Sequence, residues 1–439
     1  MDNFRHSQNK MTIKQAFNTN AELDFPNINP TLDLDFANTK TLDPRITFTR
    51  SSGGSYLDSK GILRYAGVNE ARFDHDPETG ESLGFLMEER RTNLLTHSQN
   101  FNNWSIVNNN NLINVPVTLK ESNEKSPDGI TNFFSATYGP SNADIRRAFV
   151  GGFGKTYTAS CFYKKPNEPN AASRVYFQVH ITGTGPTSIV GVVYDFNTNS
   201  LISLFGNVPR SSGFQIYPNG VVRLWLTITD SGTGNAVFFL NMRGNPESFR
   251  GRSVLTWGAQ IEEGKFPTSY IPTQASARTR SEDTAFMINN NFREWFRQEE
   301  GSIFVAHKAL PQLSNRGFAS NSVIYNISNS NNKLGILYNS RSNTSNIIRF
   351  DNDKVIIFFI KNQNTNKKVI FSYSGITETY QPYIDGNKIT ATEINRYIPT
   401  NYKELWFAPT FIDKFNGHLQ RFTYYQKPLS DSQLQTLTN

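Results

Sequence analysis

Residues 220–229 read GVVRLWLTIT, and the fold is decided by how this stretch is read. β-branched, aromatic and aliphatic side chains crowd together and favour an extended, packed backbone. Turn-forming residues close the run on both sides, Asn219–Gly220 before it and Asp230–Ser231–Gly232 after it. A run of this length and make-up reads as a strand. The same kind of run recurs at short intervals: GKTYTASCFYKK at 154–165, RVYFQVHI at 174–181, GVVYDFN at 191–197, NAVFFLNM at 235–242 and RSVLTWGAQIEE at 252–263. Closely spaced short strands bounded by Gly, Asn, Pro or Ser predict a sandwich or jelly roll.

Working outward, the whole chain reads as all-β: an N-terminal arm and a small β module, followed by two β-sandwich domains. At 439 residues it is too long for one small core. Only 18 % of residues are charged, while 34 Phe and 18 Tyr supply strand-forming bulk. No apolar run is long enough for a membrane-spanning helix. The N-terminus, MDNFRHSQNKMTIKQ, has no apolar signal region. A protein acting outside a cell would then leave by another route, such as particle assembly and lysis. The net charge of +7 is spread thinly. Pairs such as Lys164–Lys165 and Lys367–Lys368 do not make the clustered stripe that a nucleic acid needs, so no nucleic-acid partner is expected. Cys161 is the sole cysteine, which rules out an intrachain disulfide. Its place among aromatic neighbours predicts a small buried hydrophobe on a strand.

Residues 1–30 are polar, end in FPNINP, and are expected to order only by docking on a partner. Residues 31–97 form the small β module, 98–283 the first sandwich and 284–439 the second. In the second, YIDGNKI predicts a hairpin turning at Asp385–Gly386 or Gly386–Asn387. In FNGHLQRFTYYQ, Gly417 leads a strand over His418–Tyr425 with Phe422 buried. Ser430 is placed to N-cap a helix over DSQLQTLT. Helix is expected only near 289–299 and 430–438.

Few groups suggest chemistry. LDLDF puts Asp33 and Asp35 on one face of a predicted strand, where two carboxylates could hold a cation or move protons. The plainer reading is a polar face in water. Glu88 and Glu89 beside Arg90 and Arg91 predict structural ion pairs. Asp351 and Asp353 flank Asn352 at a spacing that fits a solvated turn or a calcium ligand set better than a glycosidase pair. His6, His75, His97, His180, His307 and His418 are scattered, and no nucleophile elbow or phosphate loop is present. The reading therefore assigns no catalytic or metal residue and no cofactor, and places the chain outside the enzymes. Sugar binding asks for aromatic faces and short polar side chains, which the composition supplies. Trp225, Trp257 and Trp406 read as core residues, whereas Trp104 and Trp295 fit either packing or a ligand. No single binding residue is assigned.

Five spaced motifs in the module carry a resemblance: DFA at Asp35–Ala37, DPRITFTRSS at Asp43–Ser52, YLDSKGILR at Tyr56–Arg64, ARFDHDPETGESLGFLMEE at Ala71–Glu89 and RTNLL at Arg91–Leu95. In this order they resemble a module near the N-terminus of phage tail-fibre, head-fibre and prophage virion proteins. Tyr157–Lys165, WGAQIEEGKFPTSYIPT at Trp257–Thr273 and ARTRSED at Ala277–Asp283 resemble the carbohydrate-binding-module-like sandwich of such proteins, in which the SYIPT run folds back along the domain. The C-terminal strand and helix resemble the end of concanavalin-A-like and laminin-G-like domains. The resemblance implies a bacteriophage virion protein, a fibre or spike that acts as an adhesin for host-surface glycan. It implies attachment to other virion proteins through the N-terminal region, a place on the particle exterior, and a homo-oligomer, a trimer before other states. The alternatives are a capsid decoration or tail adaptor that binds no sugar, and a glycan depolymerase.

Overall fold

A computed structural model describes residues 29–108, 117–139, 143–152, 154–181, 188–207, 209, 211–229, 235–241, 250–310, 321–329, 333–339, 346–351, 366–377, 379–389, 401–409 and 413–439. The docking arm expected at 1–30 thus lies almost wholly outside the described residues. Among the described residues strand predominates and helix is confined to short pieces, which establishes the all-β class. Two compact units are present. One comprises Phe48–Thr284 with Leu310–Ser320; the other comprises Met1–Thr47, Ala285–Ala309 and Asn321–Asn439. The division falls between Thr47 and Phe48, within the 31–97 stretch read as a module.

The Phe48–Thr284 unit is built on two antiparallel six-stranded sheets. The first runs Ser211–Tyr217, Val221–Thr229, Thr156–Lys164, Ser253–Glu263, Asn132–Thr137, Thr118–Lys125. The second runs Ser200–Gly206, Ser188–Asp195, Arg174–Ile181, Asn235–Asn241, Ala143–Val150, Ser105–Asn108. Side chains alternate along a strand, so one face of each sheet can meet the other. Tyr157, Ala159, Cys161 and Tyr163 from the first sheet share a core with Val175, Phe177 and Val179 from the second. Cys161 is fully buried there. The opposite face of the first sheet is buried as well. Phe162, Leu255 and Trp257 pack with Leu57, Leu63 and Tyr270 in a separate cluster. That is why Thr156–Lys164 is buried at nearly every position rather than at every second one. The covering layer is the hairpin Gly54–Leu57/Leu63–Ala66 and the SYIPT run. Gly258 sits at φ +64° where the register with Thr156–Lys164 shifts, an extra residue of the kind that only glycine places cheaply.

The other unit has one sheet in the order Asn387–Lys388, Thr379–Ile384, Asn366–Ser374, Glu300–Ala309, Gly417–Tyr425, with Leu32–Leu34 also pairing along Gly417–Tyr425. A second sheet runs Thr284–Ile288, Glu404–Phe407, Asn321–Ser328, Lys333–Asn339, Asn346–Asp351. The hairpin turns at Asp385–Gly386, both at positive φ (43° and 74°), as a two-residue turn of this type requires. Phe422 is 0 % exposed, with its ring 5.2 Å from that of Tyr325 and 5.4 Å from that of Phe407. Helix Asp431–Thr438 starts at Ser430, whose hydroxyl accepts from the Gln433 amide while the Gln433 side chain accepts from the Ser430 amide. The expected helix near 289–299 is a single turn, Asn290–Arg293.

Candidate functional site

The strand LDLDF is shorter than its alternation suggests. It stops at Leu34, and Asp35 instead caps a one-turn helix, Phe36–Thr39, by accepting from the Asn38 amide. Asp33 and Asp35 therefore do not share a strand face. Asp33 is bound at 2.8 Å by Arg421 Nε and at 2.9 Å by the Thr423 hydroxyl. Both carboxylates have structural partners, Asp33 in an ion pair and Asp35 in a helix cap, where the plainer sequence reading had a polar face in water. Asp351 ends a strand, and Asp353 lies outside the described residues. Among the described residues no group of three His, Cys, Asp or Glu is placed to hold a metal ion. Nor is any helix there long and apolar enough to cross a membrane. Trp257 and Trp295 are buried, and so is Trp104. Trp225 and Trp406 are half-buried, with the Trp406 ring centred 4.5 Å from that of Phe286 and tilted to it.

The sequence motifs converge elsewhere. Arg50 from DPRITFTRSS, Arg72 and Glu88 from ARFDHDPETGESLGFLMEE, and Arg280 and Asp283 from ARTRSED form one buried ion network. Arg50 Nη1 donates to Asp283 Oδ1 at 3.0 Å, and Arg72 bridges Asp283 and Glu88, reaching Glu88 Oε2 at 2.7 Å. Arg280 Nε lies 3.4 Å from the same Glu88 oxygen. All five side chains are 0–1 % exposed. Burial alone would raise the Glu88 carboxyl. The Arg280 and Arg72 charges and two hydrogen bonds from Ser269 outweigh it and hold the group well below the usual carboxylate range. Glu89 pairs with Arg91 as the sequence suggests, but Glu88 chooses partners 16 and more residues away.

The network reaches out into loops. Arg50 Nη2 donates to the carbonyls of Gly67 and Glu70, and Arg72 Nη1 to that of Ser55. Glu88 fixes Ser269, and the Ser55 hydroxyl donates to the Tyr270 carbonyl at 2.6 Å. Ser55, Gly67, Tyr270 and Arg280 in turn line a cavity of about 610 Å³. Gly54, also in its lining, lies tight against the network: a Cβ there would come within 3.2 Å of Arg72 and 3.3 Å of Arg50.

Three of the few large apolar side chains left open to solvent sit in this one cavity: Tyr65 at 41 %, Val68 at 62 % and Ile130 at 67 % exposure. Local structure holds each outward. Tyr65 is on the outer side of the hairpin strand Leu63–Ala66, with its hydroxyl 3.3 Å from Gln99 Nε2. Ile130 follows a turn knotted by Asp128, whose carboxylate accepts from the Ser126 hydroxyl, the Ile130 amide and the Thr131 amide. Trp257 donates to the Thr131 hydroxyl at 2.8 Å and anchors that turn to the core. Polar groups complete the wall, among them Gln99, Gln274, Thr279 and Arg278. An open aromatic face, apolar flanks and neighbouring amides and hydroxyls together suit a ligand that is apolar on one face and hydroxylated at its rim. Sequence reading assigned none of these residues to a site. Tyr65 and Ile130 carry no motif, and only the clustering of motif arginines beneath them marks the place.

No family description and no curated protein matches the sequence. Solved structures do resemble parts of it distantly. The CBM40 domain of a Ruminococcus gnavus IT-sialidase, bound to α2,3-sialyllactose, is 13 % identical and covers 32 % of this chain and 84 % of its own, at a TM-score of 0.28. Domain 4 of AbnA, an extracellular arabinanase from Geobacillus stearothermophilus solved with arabinotriose, is 12 % identical over 40 % of this chain and 83 % of its own, at 0.28. The Trypanosoma rangeli sialidase is 8 % identical over 70 % of this chain and 60 % of its own, at 0.27. The similar structures thus include sialidases as well as binding modules, and the exclusion of enzymes read from the sequence is corrected accordingly: it does not hold.

Proposed function

We propose that the cavity between the hairpin Gly54–Ala66 and the sandwich binds glycan, and that the protein is a glycan-recognising adhesin. The observation that carries this reading is the gathering of exposed Tyr65, Val68 and Ile130 around one cavity rimmed by amides and hydroxyls. A volume of about 610 Å³ falls within the usual range for small-molecule sites. The module motifs between Asp35 and Leu95 extend the proposal to a phage virion. There the chain would be a fibre or spike exposed on the particle, joined to other virion proteins through its N-terminal region and oligomeric, a trimer first. Repeated copies would convert weak single sites into firm attachment. The test is a glycan array probed with the intact chain and with Tyr65→Ala. Wild type should retain a defined set of glycans. Loss of the stacked ring should weaken binding by about 2- to 10-fold, from the usual worth of such a contact. Equal retention by the variant would remove the cavity from the account.

A further inference from the structure

The cavity has a charge that its glycan reading does not use. Arg278 and Arg280 are alternate residues of the strand Arg278–Arg280, so both project to one side of it, while Thr279 bonds the Thr92 hydroxyl at 2.8 Å on the other. Both arginines line the cavity. Arg278 is exposed, and its guanidinium makes no hydrogen bond or ion pair to any described residue, although its charge is felt by the Tyr65 phenol. Arg280 is 1 % exposed, and its Nη2 is buried without a hydrogen-bond partner among the described residues. Its Nη1 makes only a long contact of 3.4 Å with the Ser281 carbonyl, and its Nε pairs with Glu88.

One carboxylate stands against them in the lining, Asp128. Its oxygens are already taken by Ser126, Ile130 and Thr131, so it is no partner for either arginine. The lining is left with two cations to one committed anion. A guanidinium's flat fork matches the two oxygens of a carboxylate or of a sulfate ester, and such charge-assisted bonds are the strong ones.

We infer that the glycan taken by this cavity carries an anionic substituent, a carboxylate or a sulfate ester, received by Arg278 with the charge of Arg280 behind it. Arg278 thereby sets specificity, and Tyr65, Val68 and Ile130 hold the ring. The inference rests on the glycan reading of the cavity.

The test measures binding of the intact chain to hyaluronan and alginate oligosaccharides, to the same oligosaccharides after carboxyl reduction, and to dextran sulfate with dextran as its neutral pair. At least one acidic probe should bind about tenfold or more tightly than its neutral pair, the value of one hydrogen-bonded charge. Which pair shows the difference tells carboxylate from sulfate. Arg278→Gln should erase that preference, while Arg278→Lys should keep part of it and show a steeper dependence on salt. Equal binding of acidic and neutral probes, or a preference that survives Arg278→Gln, overturns the inference and leaves glycan binding standing. No binding to any probe, acidic or neutral, overturns both.

Discussion

Two regions of this molecule are held together by opposite means. In the Ala285–Asn439 part, the strand Gly417–Tyr425 is fastened by rings: Phe422 against Tyr325, Phe407 and Trp295, with Phe36 against Phe407. In the Phe48–Thr284 unit, the layer that forms the cavity is fastened by five buried charged groups. Rings repay burial directly, about 25 cal/mol for each Å² of apolar surface. Buried ions must first recover their desolvation, and well-packed apolar groups often do as well. The difference teaches what each region supplies. Rings close a core without dictating loop geometry. The ionic network spends its hydrogen bonds on named loop atoms, the carbonyls of Ser55, Gly67 and Glu70 and the amide of Ser269. It sets the shape of a site rather than the stability of a core.

The sharpest way to break the comparison is to damage each device. Phe422→Ala should destabilise by about 3–5 kcal/mol, since a cavity remains where a fully buried ring was. Glu88→Ala should cost about as much, roughly 3–5 kcal/mol, because Arg72 and Arg280 lose a shared partner while staying buried. Amide exchange in Gly417–Tyr425 for the first variant, and in Leu63–Ala66 for the second, reads each effect locally. Unchanged protection in either case would show that the device named is not what holds that region.

Acid separates the two more gently. The Glu88 carboxyl is held below its ordinary value of 4.5, so its contribution is complete above that pH and fades as pH falls toward the depressed folded value. The ring-fastened strand has no such dependence built into Phe422. Stability of the network region should therefore fall below about pH 4.5, and Glu88→Gln should flatten that limb at the cost of lower stability at neutral pH. Denaturation midpoints measured from pH 3 to pH 7 would check it, and an equally steep acid limb in the variant would exclude Glu88 as its source. The smallest effect is at the C-terminal helix, where Ser430→Ala should cost about 1 kcal/mol by removing one half of the capping box. Circular dichroism of the variant should show a lower midpoint with the same β signal.

Where the sequence could be read follows from the same contrast. Phe422, the Asp385–Gly386 turn, the Ser430 cap and the buried Cys161 rest on periodicity or on a local conformational demand, and each was legible residue by residue. LDLDF misled because strict alternation cannot reveal that Asp35 caps a helix after Leu34. Glu88 misled because a neighbouring arginine looks like a partner, whereas the fold supplies Arg72 and Arg280 from far along the chain. The cavity was illegible for a further reason. Tyr65, Ile130 and Arg278 come from three separate segments, and their exposure is a property of the folded surface. The motifs themselves were visible, but their common purpose, one network under one cavity, needed the third dimension.

The central claim is that this cavity takes a glycan. Crystals soaked with an oligosaccharide that the intact chain retains test it most directly. The account predicts sugar density over the ring of Tyr65, flanked by Val68 and Ile130, with an anionic group at Arg278. Density for the sugar at any other surface, with this cavity left to solvent, would contradict it.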